Sequence, residues 1–366
     1  MSTLSPSRDG ADRCPGLLAP FVSADGAMVR LRIPGGRVDG DVVTEISSLA
    51  GHFGAPDVTL TSRGSLQLRG LPEPLPADLI TAIGDLGLIP SGAHDKARNI
   101  VADPAAGLDD LVADLDAGLL ADPDLAGLPG RFLLAVTEPD GPVLAEPWDI
   151  AIVDEGGSAR VVVDGRDVTI PRDEAVGCTL DVARRFLAAR TQERTWNVAD
   201  LSPADRTTLL PGATPFVTGP GELPTPGAHG DDLVALVPLG LLTPAMAEVL
   251  PTARLRITPW RSVVVPGGAA HADDLAAAGF ITTPDSPWTV LTACAGAPSC
   301  GRTTTPTRRI AQEAAPFVDV DGPPVHVIGC ERSCGHPARE HTIALNPSTG
   351  ADVVAAQLSP RDEKDR

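Results

Sequence analysis

Four of the six cysteines stand in two short pairs near the C-terminus, Cys294-Ala-Gly-Ala-Pro-Ser-Cys300 and Cys330-Glu-Arg-Ser-Cys334. Four thiolates are the ligand complement of an iron–sulfur cluster. Each pair comes from one local loop, so bringing its members together costs little chain entropy. A zinc ribbon prefers two to four residues between paired cysteines and tetrahedral closure, and the longer first spacing fits it poorly. The plainer alternative is four buried thiols with no cofactor. Cys294, Cys300, Cys330 and Cys334 are therefore the candidate metal ligands. Small residues around them (Ala295, Gly296, Ala297, Gly329, Gly335) let the backbone curl and aim N–H groups at cluster sulfurs.

These loops need elements to hold them. Leu291 and Thr292 end an apolar, strand-like run, and Val325-His-Val-Ile-Gly329 reads as a strand delivering Cys330. A helix is expected between the pairs, with Thr305 as cap and Pro306 at its first position. Further upstream the chain carries a partial repeat. Met28–Ile33 is strand-like, Pro34-Gly-Gly36 turns, Asp41–Phe53 is helical, and Val58–Thr61 and Leu66–Arg69 form a strand pair. The same order returns in Leu233–Val237, Pro244–Leu250, Leu255–Thr258 and Val263–Val265, with Thr61, Ser65 and Gly70 falling on Thr258, Ser262 and Gly267. Two such β-α-β-β halves can pair about a pseudo-two-fold axis. Each precedes a larger α/β segment. The first has strands near Arg131–Val136, Ile150–Val153, Arg160–Val163 and Val168–Ile170 and an amphipathic helix over about Arg172–Arg190. The Pro- and Gly-rich stretch 211–230 reads as the linker between halves, residues 1–12 as a leader and 359–366 as a charged tail.

Composition narrows the function. The 366 residues have a net charge of −19, which disfavours nucleic acid or an anionic membrane as partner. No apolar run reaches the roughly 18 residues of a membrane span, and Met1–Gly10 lacks the apolar core of a signal peptide. A cytoplasmic protein is expected, in which cysteines serve as metal ligands rather than disulfides. Lys96 and Lys364 are the only lysines. The arginines, better forks for carboxylates, recur beside small residues: Arg30 and Arg32, Arg63 and Arg69, Arg98 next to Asn99, and Arg131. Read as strands, these segments put Arg30 and Arg32 on one face and Thr61, Arg63 and Ser65 on another. A half-buried face of arginines calls for an anionic partner, such as a polycarboxylate; a solvated surface is the plain alternative. His336, two residues after Cys334, could ligate a second iron, hydrogen-bond a substrate or pack, the last two being favoured. Cys14 precedes Pro15-Gly16, and Cys178 reads as a core thiol. No dinucleotide fingerprint or P-loop is present, so reducing equivalents from NAD(P)H are expected to arrive through a partner protein.

With these pieces in order, the chain resembles the siroheme nitrite/sulfite reductase superfamily from about Arg13 to Gly350. Cys294…Cys300 and Gly329-Cys330…Cys334-Gly335 match its C-x5-C and C-x3-C signature. Arg30…Pro34-Gly-Gly36 resembles its Arg-x-Arg-x-Pro-Gly-Gly segment, and Thr61-Ser-Arg63…Gln67-Leu-Arg69-Gly its tetrapyrrole-contacting strand. Arg98-Asn99 and Leu128-Pro-Gly-Arg131-Phe resemble two further segments. The resemblance implies an α+β fold in which two ferredoxin-like half domains, 13–76 and 223–283, pair around two α/β domains, 77–215 and 284–358. The last of these would carry a [4Fe–4S] cluster. It assigns Arg30, Arg98, Arg131 and His336 to the reacting centre and Arg63, Gln67, Arg69 and Asn99 to the bound tetrapyrrole. In the superfamily the last cysteine, here Cys334, bridges cluster and siroheme iron.

The reductases carry two basic residues in the last loop; here the second position is Leu133, which removes one cationic contact to an oxyanion. Cys14-Pro-Gly ahead of Asp25-Gly26, and Cys334-Gly-His336-Pro337, resemble instead the precorrin-3B synthase branch. That branch implies O2-dependent hydroxylation and γ-lactone closure on precorrin-3A in aerobic cobalamin synthesis, with electrons from a donor protein or NAD(P)H-linked reductase and a mononuclear iron as a possible O2 site. There the strand arginines Arg30, Arg63, Arg69 and Arg98 would neutralise the substrate's acetates and propionates. The competing readings are a siroheme-dependent assimilatory nitrite or sulfite reductase and a non-catalytic tetrapyrrole carrier.

Overall fold

A computed structural model describes residues 12–217 and 219–359. The expected leader, save Asp12, and the tail beyond Ser359 lie outside the described residues. The two halves of the repeat build two five-stranded sheets. One runs Phe21–Ser23, Gly26–Leu31, Leu66–Leu71, Val58–Leu60 and Leu241–Leu242; the other runs Gly227–His229, Asp232–Leu236, Ser262–Val265, Arg254–Ile257 and Arg37–Asp39. Each sheet thus ends on a strand donated by the other half. Leu241 pairs antiparallel with Thr59, and Arg37–Asp39 pairs with Arg254–Arg256.

The exchange follows from local geometry. Pro34-Gly35-Gly36 and Pro238-Leu239-Gly240 make matching turns, with φ of 60° and 71° in the first and 55° and 69° in the second. Gly36 is obligatory, because a Cβ there would collide with the Ile257 carbonyl of the opposite half. Behind the turns, helices Gly40–Phe53 and Pro244–Glu248 pack together, and Thr44 Oγ1 donates to the Ala247 carbonyl at 3.0 Å. The first helix buries Val43, Ile46, Leu49 and Ala50 at helical spacing. One core joins both halves, from Val29, Ile46 and Leu66 to Leu233, Leu255 and Val263.

Helix Ala77–Asp85 contributes Leu79 and Ile83 to this shared core, so the half domain extends past the expected boundary at 76. The next unit is a six-stranded sheet: Ile100–Ala102, Leu134–Thr137 and Ile150–Asp154 are parallel, and Ser158–Val163, Arg166–Pro171 and Thr214–Pro215 continue it antiparallel. Helices Asp109–Ala121 and Ala175–Ala189 cover one face. On the other, Leu133, Ala135 and Val153 meet Trp148, Phe216 and, from the second half, Trp260. The last unit is a parallel three-stranded sheet, Leu291–Ala293, Val325–Ile328 and Thr342–Leu345, with helices Thr307–Ala314 and Gly350–Leu358. The helix between the cysteine pairs opens one residue later than expected, so Pro306 is its capping residue. No helix among the described residues is long and apolar enough to cross a membrane.

A second correction concerns the arginine turn. Residues 61–65 are not strand but a tight turn: Thr61 N–H donates to the Ser65 carbonyl at 3.0 Å, and Ser65 N–H to Thr61 Oγ1 at 3.2 Å. Thr258 and Ser262 repeat both bonds at 2.9 and 3.1 Å. The strand alternation expected for Thr61, Arg63 and Ser65 therefore does not hold, while the repeat itself does. Arg63-Gly64 and Trp260-Arg261 occupy equivalent turn positions, with φ of 60° at Gly64 and 62° at Arg261.

Candidate functional site

The parallel strands Leu291–Ala293 and Val325–Ile328 release their cysteine loops at the same, C-terminal, end. Cys294 N–H donates to the Val327 carbonyl at 2.9 Å, which keeps the first loop against the second strand. Gly296, at φ 60°, has no room for a Cβ beside Thr307, and Cys300 N–H closes the loop on the Gly296 carbonyl at 2.8 Å. All six cysteines are free thiols. Cys334 reaches solvent; its thiol is nevertheless held above the ordinary value, first by the protein atoms packed around it and then by Cys294, Cys330 and Cys300. The four sulfurs therefore share one neighbourhood. Among the described residues no group of three or more His, Cys, Asp or Glu is gathered to hold a single metal ion. A lone tetrahedral zinc needs all its sulfurs about 2.3 Å from one point, whereas a cluster with one iron per thiolate takes a wider set. Four thiols around a glycine-lined loop fit such a group.

The cluster domain is braced onto the first half. The Ser299 carbonyl accepts from Ser23 Oγ and from Arg69 Nη2, each at 2.7 Å. Arg69 also grips Asp25 through two bonds of 3.0 and 3.1 Å. Its guanidinium is thus committed to the frame, not free for a ligand carboxylate. Arg98 is likewise spent: both its bonds to Asp116 are 2.7 Å, and a third reaches the Leu88 carbonyl. Asn99 does not face a ligand but holds Arg32, accepting from its Nε at 2.9 Å while donating to the Lys96 and Gly130 carbonyls. Gln67 is buried in the strand opposite Arg30 and Thr59.

The other arginines differ. Arg30 and Arg32 point guanidinium nitrogens at the Cys14 sulfur, 3.3 and 3.4 Å away. Arg63 reaches the Arg131 carbonyl at 2.9 Å, and Arg131 stacks on Trp196, 4.7 Å from the ring centre. Asp149 fixes this corner, accepting from Leu133 N–H, Val198 N–H and Asn197 at 2.6–3.0 Å; burial pushes its carboxyl up to about 6. Arg261 donates to the Gly335 carbonyl, and Arg308 lies between Arg69, Asp57, Asp25 and Cys294 with its Nε buried and unpartnered. Among the described residues, no carboxylate lies within ion-pair distance of Arg30, Arg63, Arg261 or Arg308. Burial lowers Arg63 and Arg261 to about 10 each. Half-buried cations without counter-ions are poorly compensated, and in so acidic a chain their clustering could suit an anion.

Residues that the sequence reading passed over complete the site. Arg261 lies in the turn that repeats the Arg63 turn, but it aligns with Gly64 while Trp260 aligns with Arg63, so the repeat points to the turn and not to the residue. Glu146 gives no local signal: it is buried because Trp260, 114 positions away, donates its indole N–H at 3.0 Å. His336 is exposed and stacks on His341, ring centres 5.6 Å apart. His341 in turn meets buried His326, which lies between Thr292 Oγ1 at 2.8 Å and the Cys334 carbonyl at 3.2 Å. Packing is thus the role visible for His336. Leu133 is fully buried in the apolar face of the sheet, so its position does not face the arginines.

Residues 22–82 match the nitrite/sulfite reductase ferredoxin-like half domain. Across 398 aligned residues the chain is 26% identical to a precorrin-3B synthase of Sinorhizobium sp, covering 96% of this chain and 84% of the relative. The fold matches that of the Mycobacterium tuberculosis NirA protein with a TM-score of 0.61 at 19% identity, over 85% of this chain and 69% of that one. The repeated half domain, the exchanged strands and these likenesses together make the chain similar to the nitrite/sulfite reductases in its half domain and in its fold.

Proposed function

We propose that this protein is a precorrin-3B synthase-like oxidoreductase of the cytoplasm. It would carry out O2-dependent hydroxylation and γ-lactone formation on precorrin-3A, with electrons from a donor protein or an NAD(P)H-linked reductase. The observation that carries the reading is the set of half-buried arginines without counter-ions, Arg30, Arg63, Arg261 and Arg308, between the two turns and the cysteine loops. A tetrapyrrole bearing several carboxylates supplies those counter-ions. Similarity to a precorrin-3B synthase over 96% of the chain favours that branch over reduction of an inorganic oxyanion.

Cys294, Cys300, Cys330 and Cys334 would hold a [4Fe–4S] cluster, which supplies single electrons. The chain's own residues do the rest. Arg30, Arg63 and Arg131 bind carboxylates at one end, and Arg261 and Arg308 at the other. Asn99 orients Arg32, Asp149 orients the Arg131 loop, and Arg69 keeps the cluster loop registered against the first sheet. The test is anaerobic purification with iron, acid-labile sulfide and pigment analysis, followed by precorrin-3A and O2. Iron and sulfide without siroheme, together with hydroxylated lactone product, are expected. Stoichiometric siroheme with nitrite or sulfite turnover would make this a reductase instead.

A further inference from the structure

A cavity of about 130 Å³ lies where the first α/β domain, the second half domain and the cluster domain meet. It is well below the roughly 300–1,000 Å³ of a cleft that encloses a whole drug-sized ligand. Its walls include Trp260 and Trp288, and its charged lining residues are Glu146, Arg261, Arg339 and Glu340. Glu146 ends the short helix Pro142–Ala145. Arg261 comes from the turn equivalent to that of Arg63, and Arg339 follows the Cys330–Cys334 loop. Arg339 Nη2 donates to the Gly221 carbonyl at 2.5 Å, while its Nε is buried without a partner. Among the described residues, neither Arg261 nor Arg339 has a carboxylate within ion-pair distance. Two guanidiniums, an orphaned buried donor and apolar aromatic walls describe a receptor for one small anion.

We propose that this cavity binds a single carboxylate group, held by Arg261 and Arg339 beside the buried carboxyl of Glu146. The inference rests on the proposed function only in taking that group to be one acetate-type arm of the tetrapyrrole. Glu146 has one oxygen engaged by Trp260. Burial raises its carboxyl to about 7, against the opposing pull of Trp260, Arg339, Arg261 and Arg63. Below neutrality it therefore carries a proton to share with a bound carboxylate; once ionised, it repels one. Occupancy of the cavity falls as pH rises through 7.

The test uses the full chain, acetate as probe and acetamide as the uncharged control, read by calorimetry and by indole fluorescence. Acetate is expected to bind, acetamide not, and acetate affinity to drop about tenfold between pH 6 and pH 8 as the Glu146 proton is lost. Glu146→Gln keeps a donor and should flatten that pH dependence. Arg339→Gln should weaken acetate roughly 10- to 150-fold, the worth of a charge-assisted hydrogen bond. Acetate binding that ignores both substitutions, or equal binding of acetamide, overturns the proposal. Tetrapyrrole binding without acetate binding would sink this inference alone. Acetate binding with no affinity for any tetrapyrrole would sink the proposed function and leave the pocket standing.

Discussion

Replacing Arg63 by methionine should stabilise the ligand-free protein and cripple its binding of tetrapyrrole. Arg63 is enclosed where the two halves meet the first α/β domain, and burial lowers its guanidinium from 12.5 to about 10. At 1.36 kcal/mol per pH unit, keeping that charge in the fold costs about 3 kcal/mol. The substitution also removes the hydrogen bond to the Arg131 carbonyl, worth about 1 kcal/mol. That carbonyl is not orphaned, because Asn197 Nδ2 still donates to it at 3.1 Å. Methionine keeps most of the apolar stem, so the net gain is about 2 kcal/mol. The assay is urea denaturation of the ligand-free protein at pH 7, paired with titration by precorrin-3A or a stable octacarboxylate porphyrin. Binding should weaken roughly 10- to 150-fold, one charge-assisted hydrogen bond's worth. A variant that loses stability, or binds like the parent, refutes the idea that Arg63 is kept unpaired for a ligand.

Arg98→Gln should show the reverse pattern: it breaks a buried clamp on Asp116, costing about 3 kcal/mol of stability, with an unchanged ligand Kd in the folded protein. A raised Kd would return Arg98 to the binding site. Leu133→Lys should cost at least ~3 kcal/mol, because it buries an ammonium with no partner in the apolar face of the sheet. A stable variant with new oxyanion reductase activity would contradict that placement. Cys300→Ser should lose cluster iron, sulfide and visible colour together, and retention of all three would end the cluster assignment.

How much of this was legible beforehand depended on whether the information was local. The Pro-Gly-Gly turn and the Thr61/Ser65 and Thr258/Ser262 matches are short-range chemistry, and each marks a real feature of the fold. The alternation of Thr61, Arg63 and Ser65 mimicked a strand because a tight turn can also hold polar side chains at every second position. Arg69 and Arg98 read as ligand-binding arginines because their partners, Asp25 and Asp116, lie 44 and 18 positions away and nothing in the local pattern joins them. The exchanged strands Arg37–Asp39 and Leu241–Leu242 are too short to show a period. Glu146 looked like any loop carboxyl, since its burial is made by residues from the other half of the chain.

The mutual loan of strands also sets a timetable for biosynthesis. When the first half leaves the ribosome, the open side of Val58–Leu60 has no neighbour until Leu241–Leu242 emerges about 180 residues later. At roughly 5–20 residues per second of synthesis, that is a wait of about 9–36 s with a bare β-edge, the kind of surface that recruits other chains. A nascent chain stalled before residue 241 should therefore aggregate or bind chaperones, and release of one extended past residue 265 should relieve both.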